Sequence, residues 1–181
     1  MNKIFIILII IFSFFNKSNA SYTKLAYDFR FNSIDGQPIA LNDYKGKVIL
    51  VVNVASRCGF TKQYKDLQNL WTNYKNDNLI VLGIPTNDFK QEPGSNQDIK
   101  DFCETNFDIN FPITEKIKVL GRDAHPFYKW AKENYGKAAI PKWNFHKIVI
   151  GKNGKVVDTF SSITNPSSKK FINFIKEQIK S

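Results

Sequence analysis

The sequence predicts an α/β sandwich in which helices flank a central mixed β-sheet. Residues 48–55 and 79–84 are continuous, largely β-branched apolar runs, which are typical of strands buried on both faces of a parallel sheet. The segment between them carries apolar and aromatic side chains at helical intervals, namely Tyr64, Leu67, Leu70, Trp71 and Tyr74. A strand, a helix and a second buried strand predict a βαβ unit with parallel strands.

A β-hairpin is predicted on each side of this unit. Residues 29–41 contain Asp35 and Gly36, a dipeptide that favours a tight turn and indicates a short N-terminal hairpin. Residues 147–150 and 156–160 flank an Asn-Gly dipeptide, which is a strong signal for a second hairpin near the C-terminus.

Local signals predict three further helices. Ser95 can cap a helix that runs through Asn106, with Asp98 completing a capping box. Pro126 lies where a first-turn proline is tolerated and opens another helix. Residues 167–180 form an amphipathic helix that closes the chain. The order of elements matches a thioredoxin-like α/β sandwich with an inserted helix and an N-terminal β-hairpin.

Residues 1–20 have the layout of a secretory signal peptide. Lys3 gives a positive start, residues 4–15 are almost wholly apolar, and small residues precede a cleavage point after Ala20. The apolar run is shorter than the roughly 20 residues of a membrane-spanning helix, and the alternative is an uncleaved anchor or a buried helix. We therefore expect an exported protein, periplasmic or secreted, with residues 21–181 as a single domain.

The charge of the chain does not indicate a nucleic-acid partner. Removal of residues 1–20 lowers the formal net charge from +10 to +8. The lysines are spread along the chain among Asn and Asp, without a run of five or six like charges, so they predict a solvated surface. No binding of nucleic acid is expected.

Cys58 is the first candidate for chemistry. It follows the first buried strand and precedes a helix, so the positive end of that helix would favour the thiolate, which is the nucleophilic form. Arg57 adds a positive charge if its side chain turns inward. On position alone, a small buried hydrophobic residue is the alternative. The spacing of Cys58 and Cys103 leaves open a structural disulfide or a reactive pair.

Four stretches of the chain resemble the glutathione peroxidase family in the right order. Residues 53–61 (NVASRCGFT) resemble its active-cysteine segment, in the cysteine rather than the selenocysteine form. The others are 82–96 (LGIPTNDFKQEPGSN), 123–126 (DAHP) and 143–145 (WNF). The similarity runs from about residue 35 to 166. It implies a thiol-dependent peroxidase that reduces hydrogen peroxide and organic hydroperoxides through a cysteine sulfenic acid and protects against oxidative stress.

The resemblance also implies an active-site tetrad, which falls on Cys58, Gln91, Trp143 and Asn144. The glutamine, indole and asparagine groups donate hydrogen bonds and stay neutral, so they can stabilise a thiolate and orient a peroxide without a competing titration. The loop before Gln91 is one residue shorter than in many relatives, which carry a glycine there.

Cys103 has two interpretations. In thioredoxin-dependent relatives a second cysteine in this segment resolves the sulfenic acid, and Cys103 is the candidate for that role. In many relatives the resolving residue lies one position later, at Glu104 here, and one residue turns a helical side chain by about 100 degrees. A buried structural thiol is the alternative. His125 and His146 are interpreted as structural, with His125 at a helix start.

The resemblance to cysteine-type, bacterial or plant-like members implies no bound cofactor and no metal. It implies a thiol co-substrate, either a thioredoxin-like protein or glutathione. Residues 136–142 form a shorter connection than the loop that packs between subunits in tetrameric relatives, so a monomer is expected.

Three other functions fit the sequence less well than the peroxidase. A thioredoxin-like thiol-disulfide oxidoreductase needs a second cysteine where Thr61 stands, and a peroxiredoxin needs a proline and a threonine ahead of the cysteine, which residues 54–57 lack. An inactive binding module with this fold would not be expected to keep an intact tetrad.

Overall fold

The computed structural model describes residues 22–181, so the predicted signal peptide lies outside the described residues. Two parallel strands, β3 (Val48–Val54) and β4 (Leu79–Pro85), are joined by helix α1 (Gln63–Tyr74). Every residue of both strands is buried. The βαβ unit and its doubly buried strands are therefore confirmed.

Both predicted hairpins are present. The N-terminal one pairs β1 (Arg30–Asn32) with β2 (Pro38–Ala40) as a separate two-stranded sheet. The C-terminal one pairs β5 (Lys147–Ile150) with β6 (Val156–Phe160), and β5 also pairs antiparallel with β3. The main sheet consequently has the order β4-β3-β5-β6 and is mixed.

Three more helices complete the chain: α2 (Asn96–Phe107), α3 (Pro126–Tyr135) and α4 (Lys169–Lys180). Ser95 and Asp98 form the predicted capping box of α2. The α4 helix begins at Lys169, so the expected start at Ser167 was wrong. Ser167 instead donates from its amide and its hydroxyl to Asn165 in a turn, and Ser168 caps the helix.

The two faces of the main sheet carry separate apolar cores. Alternate side chains of β3 point to opposite faces, with Ile49 and Val51 in one core and Leu50 and Val52 in the other. The first core is covered by α3 and the N-terminal hairpin, and the second by α1, α2 and α4. Within residues 22–181, no helix has the length and apolarity to cross a membrane.

Candidate active site

Cys58 lies in a tight turn between β3 and α1. Its amide donates to the Thr61 hydroxyl (3.0 Å), and that hydroxyl donates to the Ala55 carbonyl (3.0 Å). The Thr61 amide returns to the Cys58 carbonyl (3.0 Å). Thr61, which stands where a thiol-disulfide oxidoreductase would have its second cysteine, therefore fixes the backbone around Cys58.

Cys58 is 8% exposed, and its sulfur accepts one backbone hydrogen bond. The Phe60 amide donates to Sγ at 3.4 Å. The first helical residue of α1 is Gln63, so the sulfur contacts an amide of the turn before the helix, and the expected contact with the helix end itself was imprecise. The backbone of this turn therefore supplies a polar partner to a sulfur that otherwise lies among apolar side chains.

The loop of Gln91 packs directly against the Cys58 turn. The Arg57 amide donates to the Gln91 carbonyl (3.1 Å), which holds the two segments together. The missing residue of this loop is accommodated by a tight turn in which the Lys90 amide donates to the Asn87 carbonyl (2.9 Å). Lys90 has a φ of 58°, a left-handed conformation that favours glycine.

Glu92 is a site residue that the sequence did not reveal. It is 1% exposed, and its carboxylate accepts from the amide (2.7 Å) and the hydroxyl (3.0 Å) of Ser56. Burial raises the pKa of Glu92, an effect opposed by these hydrogen bonds and by the charges of Lys116 and Arg57. The Arg57 side chain is exposed and lies near this carboxylate. Glu92 thus ties the Gln91 loop to the Cys58 turn by a second connection.

Trp143, Asn144 and Phe145 form a turn that is anchored on the end of β3. Asn53, in that strand, donates from its side chain to the Trp143 carbonyl (3.1 Å), and its own carbonyl accepts from the Phe145 amide (2.6 Å). Phe145 has a φ of 63°, which is strained for a phenylalanine. Because β3 leads into the Cys58 turn, this anchoring brings the turn of residues 143–145 to the same end of the sheet as Cys58.

Gln91 and Asn144 contact each other through their side chains. Asn144 Nδ2 donates to Gln91 Oε1 at 3.0 Å, and Asn144 is fully buried. The acceptor end of the Gln91 amide is therefore occupied, and its Nε2 makes no side-chain hydrogen bond among the described residues. The indole of Trp143 is 41% exposed and stacks at a tilt on Phe89, with 5.4 Å between ring centroids. The Gln91 amide nitrogen and the Trp143 indole thus remain as two neutral donors at the end of the sheet where β3 leads into the Cys58 turn.

Cys103 lies in the middle of α2, facing inward. It is 1% exposed and belongs to the same core as Cys58, whereas Glu104 is exposed. Burial raises the pKa of the Cys103 thiol to about 11; the neighbouring Tyr64 hydroxyl opposes this, and the charges of Glu92 and Glu104 add to it. Both cysteines are free thiols. The inward direction of Cys103 is consistent with both of its interpretations.

Neither histidine side chain forms a hydrogen bond with the Cys58 turn among the described residues. His125 caps α3, its Nδ1 accepting from the Phe127 amide (3.3 Å), as its position before Pro126 predicts. His146 is 7% exposed at the start of β5, and burial lowers its pKa to about 4, with the charges of Lys147 and Lys142 adding to the effect. Among residues 22–181, no three His, Cys, Asp or Glu side chains cluster as a metal site would require.

The fold places the chain in the thioredoxin-like class. Solved thioredoxin-family proteins share the fold at low identity, for example a thiol:disulfide interchange protein from Chlorobium tepidum at 16% identity and a TM-score of 0.64, which covers 83% of this chain and 92% of that one. The predicted thioredoxin-like sandwich is thereby confirmed. Likeness at this level does not identify the reaction.

Closer comparisons identify the family. The profile of the family described as glutathione peroxidase matches residues 26–132. "Hydroperoxy fatty acid reductase gpx1" of Synechocystis is 45% identical over 156 residues, which cover 81% of this chain and 92% of that protein. "Glutathione peroxidase-like peroxiredoxin 2" of Saccharomyces cerevisiae is 45% identical over 152 residues, which cover 81% and 93%. The crystal structure of Trgpx in its apo form superposes with a TM-score of 0.70 at 38% identity and covers 88% and 97%.

The chain belongs to the glutathione peroxidase family, and it is a thiol-dependent peroxidase. The resemblance seen in its four sequence stretches is confirmed.

Proposed function

We propose that Cys58 is the residue that attacks the peroxide, assisted by Gln91, Trp143 and Asn144. The observation that carries the proposal is the hydrogen bond from Asn144 Nδ2 to Gln91 Oε1 next to the Cys58 turn. This bond fixes the Gln91 amide with its donor end unoccupied, while the Phe60 amide already donates to the sulfur. Donors preset in this way stabilise charge that develops during a reaction without having to reorganise.

The proposed first step oxidises the sulfur by two electrons. The Cys58 thiolate attacks one peroxide oxygen, an S–O bond forms and the O–O bond breaks. The departing oxygen takes a proton and leaves as water from hydrogen peroxide or as an alcohol from an organic hydroperoxide. Cys58 remains as a sulfenic acid.

Cys103 is proposed to resolve the sulfenic acid. Its thiolate attacks the Cys58 sulfur, a disulfide forms, and the hydroxyl leaves with a proton as water. A dithiol protein of the thioredoxin type then returns both cysteines to thiols by exchange, and becomes a disulfide itself. Cys103 is buried within α2, and part of that helix is proposed to open before the sulfurs meet.

Organic hydroperoxides with long apolar chains are proposed as substrates alongside hydrogen peroxide. Among the described residues, the large apolar side chains with the greatest exposure are Trp143, at 41%, and Ile163, at 82%. Ser162, the neighbour of Ile163, lines the same small depression as Trp143. The Synechocystis relative is named for reduction of hydroperoxy fatty acids. Exposed apolar side chains at and next to this depression suit contact with an acyl chain.

Export and a monomeric state are also proposed, from residues 1–20 and from the short connection of residues 136–142. N-terminal sequencing of the protein recovered from its producing cell tests the first, with Ser21 as the expected first residue. Light scattering at micromolar concentration tests the second, and a stable tetramer would contradict it.

The central experiment measures peroxide consumption by Cys58→Ser and by Cys103→Ser. The first variant should lose peroxide reduction because a hydroxyl is a far weaker nucleophile than a thiolate. The second serves as the matched control: it should keep the first oxidation step and lose turnover with a thioredoxin system. Peroxide reduction by a folded Cys58→Ser would remove the proposal. Normal cycling of Cys103→Ser with thioredoxin would leave Cys103 structural and would reopen the question of the reductant.

A further inference from the structure

A buried lysine lies directly behind the proposed site. Lys147, the first residue of β5, has no exposed surface. None of the ion pairs formed within residues 22–181 includes it. Burial lowers its pKa to about 7, so the amine is partly neutral near neutral pH. A buried amine without a carboxylate partner is costly to maintain, and it calls for a role beyond packing.

The amine of Lys147 makes two short hydrogen bonds that point in different directions. It donates to Gln63 Oε1 at 2.7 Å and to the Phe145 carbonyl at 2.8 Å. Gln63 is the first residue of α1, and its side chain donates onward to the Ser162 carbonyl at 2.6 Å. The amine therefore links the helix that follows Cys58 to the turn that carries Trp143 and Asn144.

The Phe145 end of this link is the strained position of the turn. A phenylalanine in the left-handed conformation is strained and persists only where its surroundings determine it. Its amide is held by the Asn53 carbonyl, and its carbonyl is held by Lys147. With both ends of the residue fixed, the directions of the two preceding side chains are fixed as well.

We infer that Lys147 is a positioning residue for peroxide reduction, which sets the Trp143–Asn144 turn against the start of α1, the helix that follows the Cys58 turn, through Phe145 and Gln63. It does not touch the sulfur or the peroxide, and it acts through the placement of the indole and amide donors. The inference rests on the proposed roles of Cys58, Trp143 and Asn144.

The test compares two reactions of Cys58 in the same variants. Oxidation by peroxide requires the Trp143, Gln91 and Asn144 donors to orient the peroxide, whereas alkylation by iodoacetamide requires only an accessible Cys58 sulfur. Lys147→Met and Gln63→Met each break the link with a side chain of similar length. Ile148→Met is the matched control, because Ile148 is a buried neighbour in β5 that faces the opposite core.

Cys58 of both link variants should be oxidised by peroxide about 10- to 100-fold more slowly, since a displacement of about 1 Å in a preset site can cost about 100-fold in rate. Their alkylation rates should stay within about twofold of the parent protein. The control should keep both rates. Residues that only support the fold would shift the two reactions together, so the separation of the rates is the decisive readout.

Two results would overturn the inference: peroxide rates of both link variants equal to that of Ile148→Met, or alkylation that falls in parallel with peroxide oxidation. If Lys147→Met does not fold, Gln63→Met decides the question. If the parent protein shows no peroxide oxidation at Cys58, the proposed function itself fails before the variants are compared.

Discussion

Opening of helix α2 is expected to limit formation of the Cys58–Cys103 disulfide. Burial raises the pKa of Cys103 from 9.0 to about 11. The thiolate fraction near neutral pH is consequently about 100-fold lower than that of the unshifted thiol. A thiol in this state is a poor partner for a sulfenic acid until the helix opens and exposes it to water.

The capping box of α2 provides a way to change that opening without touching either cysteine. Ser95 Oγ accepts from the Asp98 amide (3.2 Å), and the Asp98 carboxylate accepts from the Ser95 amide (2.8 Å). Replacement of a serine N-cap by alanine costs about 1 kcal/mol of helix stability. Only Ile99 and Cys103 of this helix are buried, so little packing opposes the loss.

Ser95→Ala should therefore form the disulfide about fivefold faster, since about 1.4 kcal/mol corresponds to a tenfold change in an opening equilibrium. The assay adds one equivalent of peroxide, quenches samples in acid with an alkylating agent and follows the disulfide by mass spectrometry. Oxidation of Cys58 in the same samples should be unchanged.

Ser168→Ala is the matched control, because Ser168 caps α4 through the Phe171 amide and that helix carries no cysteine. A disulfide rate in Ser95→Ala equal to that of Ser168→Ala would refute the reasoning. So would a rate that falls below that of the parent protein.

Two further predictions concern the donors and the buried histidine. Gln91→Leu and Trp143→Phe should each slow Cys58 oxidation by about 10- to 1000-fold. Trp71→Phe, in which the indole hydrogen bond to Asn110 is lost, is the control and should keep the parent rate. Normal oxidation rates in both donor variants would contradict the proposed tetrad. The pKa of His146 is lowered from 6.5 to about 4, so the folded state resists protonation. The free energy of unfolding should fall between pH 6.5 and 4, by about 3 kcal/mol at most, and level off below. Urea unfolding of His146→Gln should lack this part of the decrease, and an identical pH dependence would contradict the assignment.

Much of the fold could be predicted because its signals are local. Short sequence windows contain the apolar runs of β3 and β4 and the capping box at Ser95. The left-handed Lys90 could not be predicted, since it depends on how a shortened loop closes. The burial of Glu92 and Lys147 depends on partners 36 and 84 residues away, and charged residues are ordinarily expected on the surface.

The candidate site was predicted through resemblance rather than through periodicity. Pattern alone places Cys58 after a buried strand and gives no reason to bring Gln91 to Asn144. Those side chains are 53 positions apart and meet because β3 lies between β4 and β5 in the sheet. Sheet order is a property of the whole chain, which single-segment signals do not contain.

The outer edge of β4 is already occupied. Gly83 donates to the Pro112 carbonyl (2.9 Å) and accepts from the Thr114 amide (3.0 Å), so residues 112–114 cover the middle of that edge. Of the two edges of the main sheet, β6 is therefore the one left for another chain to extend, and an irregularity interrupts its pairing with β5 at Ile150. An irregularity of this kind twists an edge strand and thereby discourages a strand of another chain from pairing with it. We expect this enzyme to resist edge-to-edge aggregation even when it is concentrated.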